Sequence, residues 1–246
     1  MRRAPFTAEL AGRFARDALA LGEGEVCAAF RRSFYLRFPG ERYACVGDAS
    51  LGRGPLNALV ADFGPAAIGE RVAVSVAAVW TPPPVGARLP DLTSFHQEIP
   101  GEGLGCLLLG QHNALAMHAQ PALEALDEWL RHGLRMPEDA AALIGLGPGL
   151  TPSGDDYLGG ILVALHGLAR DAQANALWRW LQPRLAARTS AISAAHLEAA
   201  AQGEGHEALH SILQEASAGS VAALGRVGHC SGWDALAGAA AVLRAS

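Results

Sequence analysis

The 246-residue sequence predicts an α+β fold, with a β-rich N-terminal half packed against a mostly helical C-terminal half. From Val26 to about Met117, short apolar or alternating runs are separated by turns rich in Pro and Gly, the texture of strands. Beyond Gln120 nearly every stretch has helical apolar spacing. The change of texture divides the chain into a β-rich domain with an N-terminal helix over 1–120 and a helical domain carrying a Gly-rich loop over 121–246.

Taken in order, residues 7–21 have the spacing of a helix with Thr7 as its N-cap. Strands are expected at Ser33–Phe38, Tyr43–Val46, Ala58–Val60, Val72–Trp80, Gly105–Leu109 and Ala114–His118. The segment 81–88, T-P-P-P-V-G-A-R, cannot continue a sheet and reads as an extended loop. Pro121–Gly133 and Pro137–Ile144 open with proline in a helix's first turn. Further helical patterns cover 155–169, 172–187, 190–202, 205–217 and 231–245.

Composition narrows the function. Half the residues are apolar and 17% are charged, which suits a packed globular core. A net charge of −5, with cations that are predominantly Arg and never clustered beyond the pairs Arg2-Arg3 and Arg31-Arg32, argues against nucleic acid as a partner. Cys27, Cys45, Cys106 and Cys230 are dispersed without a C-x-x-C pair, so neither a zinc site nor a disulfide framework is expected. His96, His112 and His118 likewise lack metal-ligand spacing. With no signal-peptide pattern and no apolar run of membrane-spanning length, the expectation is a cytoplasmic protein without a membrane partner.

The chemistry concentrates in G-L-G-P-G-L-T-P-S-G-D-D, residues 145–156, directly before an apolar helix. Ser153 at an N-cap would put Asp156 at the third helical position, a serine–acid capping box, and the helix dipole would favour Asp155 as well. Capping does not explain why Gly145, Gly147 and Gly149 alternate. Alternate glycines let successive amides form a nest, so a phosphate or carboxylate at this helix start is expected. The loop has neither the Lys of a P-loop nor a preceding strand. Two roles are open to Asp155 and Asp156: holding Mg2+ against a phosphate, or orienting and deprotonating a nucleophile.

A second start at 228–234, G-H-C-S-G-W-D, echoes the first through the pattern S-G-x-D-x-L-x-G, which runs over 153–160 and again over 231–238. Ser231 and Asp234 would form its capping box, and His229 and Cys230 suggest a reactive dyad unless the thiol is simply buried. Thr189-Ser190 with Ser193 opens another helix. Within 52–57, G-R-G-P-L-N reads as a turn that can supply Arg53 and Asn57 to an anion, or as a plain surface turn. The resulting candidates are Asp155 and Asp156 as catalytic groups. Arg53, Asn57, Gly147, Gly149, Thr151, Ser153, Gly154, Ser190, His229, Ser231 and Asp234 are the candidate substrate contacts.

With these segments assembled, the chain resembles the AllH-like family. The resemblance rests on 145–156, on Arg188-Thr189-Ser190 with Ser193, on 228–234, and on G-P-L-N at 54–57. It implies a subunit of oxamate carbamoyltransferase, working with FdrA-like and AllG-like subunits in bacterial allantoin and purine-nitrogen breakdown. The implied ligands are oxamate, phosphate and carbamoyl phosphate, whose carboxylate and phosphate groups suit amide nests and Arg forks. The S-T-R-T-R motif of ordinary carbamoyltransferases is absent. Two other readings stand beside it: metal-assisted hydrolysis of a C–N bond in a small amide, and a non-catalytic structural subunit.

Overall fold

The computed structural model describes residues 6–86, 91–133 and 135–246, so Arg2, Arg3 and the last two residues of the expected 81–88 loop lie outside the described residues. The chain is α+β and forms two compact units, Met1–Pro82 and Pro83–Ser246. The division falls well before residue 120 because Leu92, Ile99, Leu104 and Cys106 are buried in the helical core.

The first unit is a curled sheet with one helix. Its strands are β1 (Phe6–Gly12), β2 (Gly24–Ala29), β3 (Ser33–Phe38), β4 (Arg42–Gly47), β5 (Asn57–Val60), β6 (Arg71–Val72), β7 (Val74–Val76) and β8 (Val79–Trp80). The order is β6-β2-β3-β4-β5-β1-β7, with β8 also on β1. Since β6 and β7 are separated only by Ala73 yet pair with opposite ends of that order, the sheet must curl toward closure. Pairing is antiparallel except for β1 with β7 and β8, and β4 with β5.

The helix expected over 7–21 begins later, as α1 (Arg13–Leu19). Phe6 and Ala8 are buried while Thr7 and Glu9 are exposed, so the early residues follow a strand's period of two until a register shift between Ala8 and Leu10, and Thr7 caps nothing. Gly12 marks the switch. A Cβ there would sit 2.1 Å from the Gly54 carbonyl oxygen, and the Pro55 carbonyl accepts the Ala15 N–H at 2.9 Å. The 52–57 turn therefore seats α1.

The second unit holds α2 (Ala114–His132), α3 (Ser153–Gly167), α4 (Asp171–Arg188), α5 (Ala191–Ala200), α6 (Glu207–Gln214), α7 (Ala218–Leu224) and α8 (Ser231–Arg244). Two expected strands are absent. Gly105–Leu109 is a 3-10 turn, and Ala114–His118 is the start of α2, because the Asn113 side chain caps that helix by accepting the Ala116 N–H at 2.9 Å. Pro121 consequently falls inside α2 instead of opening it, and Glu138–Leu143 is 3-10 rather than α. Among the described residues, no helix is long and apolar enough to cross a membrane.

The centre of this unit is the crossing of α3 and α8. At Gly160 a Cβ would lie 1.8 Å from the Ala235 carbonyl oxygen, and at Gly238 one would lie 1.9 Å from that of Tyr157. The two contacts are reciprocal, since Tyr157 follows Asp156 and Ala235 follows Asp234. The same relation extends upstream. Leu146 and Val227 donate their N–H to Leu143 and Leu224, and accept from Gly154 and Gly232. A-A-L recurs at 141–143 and 222–224. The short sequence echo thus belongs to a longer repeated turn-plus-helix unit.

Gly160→Ala should cost about 3 kcal/mol or more, the overlap with backbone outweighing the roughly 1 kcal/mol of helix propensity that alanine adds. Gly159→Ala meets nothing closer than 3.8 Å and should stabilise by several tenths of a kcal/mol. Urea denaturation of the two single variants would show these opposite signs at neighbouring positions.

Candidate functional site

The local geometry of the two helix starts departs from the expected capping boxes. Pro152, extended at φ −60° and ψ 148°, is the N-cap of α3, and its carbonyl accepts the Asp155 and Asp156 N–H groups at 2.9 and 3.0 Å. Ser153 is therefore the first helical residue and Asp156 the fourth, and a proline N-cap has no N–H for an acid to reach back to. At α8 the N-cap is Cys230, and again no side chain caps the helix. Both serines are freed. Ser231 lies near Asp156 on the other helix and Ser153 near Asp234, without a hydrogen bond to either carboxylate, and the Thr151 and Ser231 hydroxyls lie 3.2 Å apart.

The adjacent aspartates have different surroundings. Asp155, 2% exposed, accepts the Gly145 N–H at 2.8 Å, the Ser193 hydroxyl at 2.6 Å and the Thr189 hydroxyl. It ties the glycine loop to the start of α5, whose N-cap is Ser190 as expected. Because its oxygens already serve three protein donors, Asp155 does not fit a Mg2+ pair with Asp156.

Asp156 instead keeps Oδ2 buried without a hydrogen-bond partner. Burial, with Asp234 and Asp155 nearby, holds its pKa well above the ordinary carboxylate range, while the Ser231 and Thr151 hydroxyls oppose the shift. Asp234 is 1% exposed, and its Oδ1 accepts the Leu104 and Gly105 N–H groups at 2.6 and 2.9 Å. Its Oδ2 is unpartnered too. Burial pushes its pKa up to about 6 against the pull of Ser153 and the two amides.

Beside this pair stands the loop. Gly145, Gly147 and Gly149 have φ of 74°, 109° and 97°, which a side chain would strain. The Gly145 amide is taken by Asp155. Among the described residues, the amides of Gly147, Gly149, Leu150, Thr151 and Ser153 make no hydrogen bond within the protein. Ser190 steadies the loop by donating to the Leu150 carbonyl at 2.5 Å. Arg188, whose backbone abuts Gly145, spends Nη1 on the Ala141 carbonyl at 3.1 Å.

The structure thus gathers Gly147, Gly149, Thr151, Ser153, Asp156, Ser190, Ser231 and Asp234 around one pair of helix starts, with Asp155 bracing them. Gly154 is a packing residue, since a Cβ there would lie 2.0 Å from the Leu143 carbonyl oxygen. Arg53 and Asn57 lie in the first unit, where the Asn57 amide donates to the Gly52 carbonyl at 3.0 Å. His229 is exposed and 2.8 Å from Glu102. Sequence reasoning missed the 101–105 loop, whose amides hold Asp234 and whose Gly101 and Gly103 carbonyls accept the Asn113 amide. Three glycines in five residues were its one signal.

Residues 143–243 match the family model described as "Oxamate carbamoyltransferase subunit AllH". The chain resembles the AllH family. The matched stretch runs from the end of the 3-10 turn before the loop to the last turn of α8, and so contains both helix starts and their crossing. No curated protein and no solved structure matches the chain.

Asp155→Ala should destabilise by about 3 kcal/mol or more, because buried donors lose their acceptor, whereas Asp156→Ala should stay within about 1 kcal/mol of the parent. Chemical denaturation distinguishes the two. Asp234→Asn keeps an oxygen for Leu104 and Gly105 while removing the charge. The raised Asp234 pKa stabilises the native state below the unfolded value of 3.8, and that contribution is lost as pH rises through about 6. The variant should match the parent near pH 4 and exceed it by up to about 3 kcal/mol at neutral pH, measured as Tm against pH.

Proposed function

We propose that this chain is a subunit of an oxamate carbamoyltransferase and that its paired helix starts bind the carbamoyl-transfer substrates. The resemblance over 143–243 supports the enzyme class. The observation that carries the site is the juxtaposition of unengaged loop amides with half-buried Asp156 and buried Asp234, each of which keeps a buried carboxylate oxygen without a partner. Amides at a helix N-terminus suit a phosphate or the oxamate carboxylate, and Arg188 beside the loop adds a fixed positive charge.

Transfer from N-carbamoyl oxamate to phosphate forms a C–O bond at the carbamoyl carbon and breaks the C–N bond to oxamate. The electron pair of the broken bond goes to nitrogen, which must gain a proton to leave. A carboxyl group whose burial keeps it protonated is a suitable donor, and Asp156 fills that role. In the reverse direction the ionised form takes the proton from the attacking oxamate nitrogen. Thr151 and Ser231 orient Asp156, and Asp234 sustains its raised pKa by charge repulsion. Asp155 is a positioning residue, fixing the loop through Gly145. FdrA-like and AllG-like subunits complete the complex, which would work in the cytoplasm.

The test is carbamoyl phosphate formation from N-carbamoyl oxamate and phosphate, with the chain alone and with those two subunits. Activity should require this chain. Asp156→Asn should lower kcat about 100-fold or more while phosphate binding persists, and the parent rate should fall as alkali removes the Asp156 proton. Full activity of Asp156→Asn, or of the partners without this chain, would overturn the assignment.

A further inference from the structure

A cluster outside the proposed transfer site joins residues far apart in sequence. His229 Nε2 and Glu102 Oε2 are 2.8 Å apart, and the Cys230 Sγ lies within 4.8 Å of both. From this we propose a transition-metal site, formed by Glu102, His229 and Cys230, that takes Zn2+ or a cation of similar softness.

The donor chemistry selects the ion. One thiolate, one imidazole and one carboxylate make a borderline set that favours Zn2+ or Co2+ over Mg2+ or Ca2+, which prefer oxygen alone. Three protein ligands leave a fourth tetrahedral position for water or a small anion. The Glu102 and His229 side chains, 78% and 81% exposed, leave that position open to solvent.

The scaffold under the ligands is rigid where it matters. Cys230 is the N-cap of α8, with its carbonyl accepting the Asp234 N–H at 2.9 Å, so its main chain is set by the helix. Glu102 is followed by Gly103, at φ 72°, which is pressed against α8. A Cβ on Gly103 would lie 2.9 Å from the Cys230 Cβ and 2.5 Å from Asp234 Oδ1. The Gly103 carbonyl is held by Asn113 at 2.7 Å, and the next two amides by Asp234. The backbone directly after Glu102 is thereby fixed beside Cys230. An exposed Glu–His ion pair needs none of this bracing, nor a thiol at its side.

His229 and Cys230 are neighbours, and their side chains converge because the turn before α8 is tight, with Gly228 at φ 60°. Binding requires the thiol to ionise. Metal uptake therefore releases a proton, and it should strengthen with pH because burial and the nearby Asp234, Glu102 and Asp156 push the Cys230 pKa up to about 11.

The experiment is titration of the chelator-stripped full chain with Co2+, followed by absorbance. The expected result is a thiolate-to-cobalt charge-transfer band that saturates at one metal per chain and is displaced by Zn2+ but not by Mg2+. Cys230→Ser should abolish the band, Cys27→Ser and Cys106→Ser should leave it intact, and Glu102→Gln or His229→Gln should each weaken Co2+ affinity about tenfold or more. Circular dichroism of each variant confirms that it is folded. Absence of the band, its survival in Cys230→Ser, or unchanged affinity in both other variants would overturn the site. The readout does not depend on carbamoyl transfer, so either assignment can fail without the other.

Discussion

The close approach of α3 and α8 is the constraint on which the rest of the second unit depends. Two glycines, Gly160 and Gly238, each replace a side chain with the other helix's carbonyl, bringing the axes nearer than any larger residue permits. Where helices meet backbone to backbone, the first residues of both are drawn together. Ser153 then faces Asp234, and Ser231 faces Asp156. A wider crossing would leave each serine to solvent and each aspartate to ordinary capping. The site is therefore a consequence of packing several residues further along the helices, and its geometry is as rigid as that contact.

Such an arrangement holds two acidic groups where they are costly. A capping box satisfies both partners and stabilises a helix. Here the serines cap nothing, and two carboxylate oxygens are buried without donors. The surrounding structure offsets this strain: Leu104 and Gly105 donate to Asp234, and a core that includes Leu158, Ile161, Leu162, Trp233 and Leu236 surrounds the crossing. Asp155 shows the contrasting solution one residue away, with every oxygen matched to a protein donor. Adjacent residues of one type thus divide into a brace and a carboxyl with an unmatched oxygen according to which side of the helix start each faces.

Much of this was legible in the sequence, and the failures have physical causes. Helix spacing locates α3, α4, α5, α6 and α8 because each carries buried apolar residues at helical intervals, and the alternating glycines mark the loop because positive φ leaves few other choices of residue. Residues 7–12 carry the spacing of a helix because Ala8, Leu10 and Ala11 fit helical spacing as well as a strand with one register shift over so short a run. Gly105–Leu109 looks like a buried strand by composition, yet the amides at its start are claimed by a carboxylate 130 residues away in the chain. No local pattern encodes that. The expected capping boxes do not form because Pro152 and Cys230, not Ser153 and Ser231, take the N-cap positions.

The repeat explains why the two helix starts, built alike, carry different chemistry. From Gly147 to Ser153 the first copy spans five intervening residues, and from Gly228 to Ser231 the second spans two. The hydrogen bonds that flank these segments are equivalent in both copies, so the difference in length is absorbed by the connecting loop alone. Three extra residues, two prolines and Gly149 let the first loop bulge outward and expose a row of amides without internal partners. The short second loop has no room for a row of amides and instead turns two side chains, His229 and Cys230, toward Glu102. One repeated scaffold thereby carries a row of backbone amides on one arm and the His229 and Cys230 side chains on the other, with half-buried Asp156 and buried Asp234 at the two helix starts. Loop length, set independently of the helices that position it, is the variable that distinguishes the two arms.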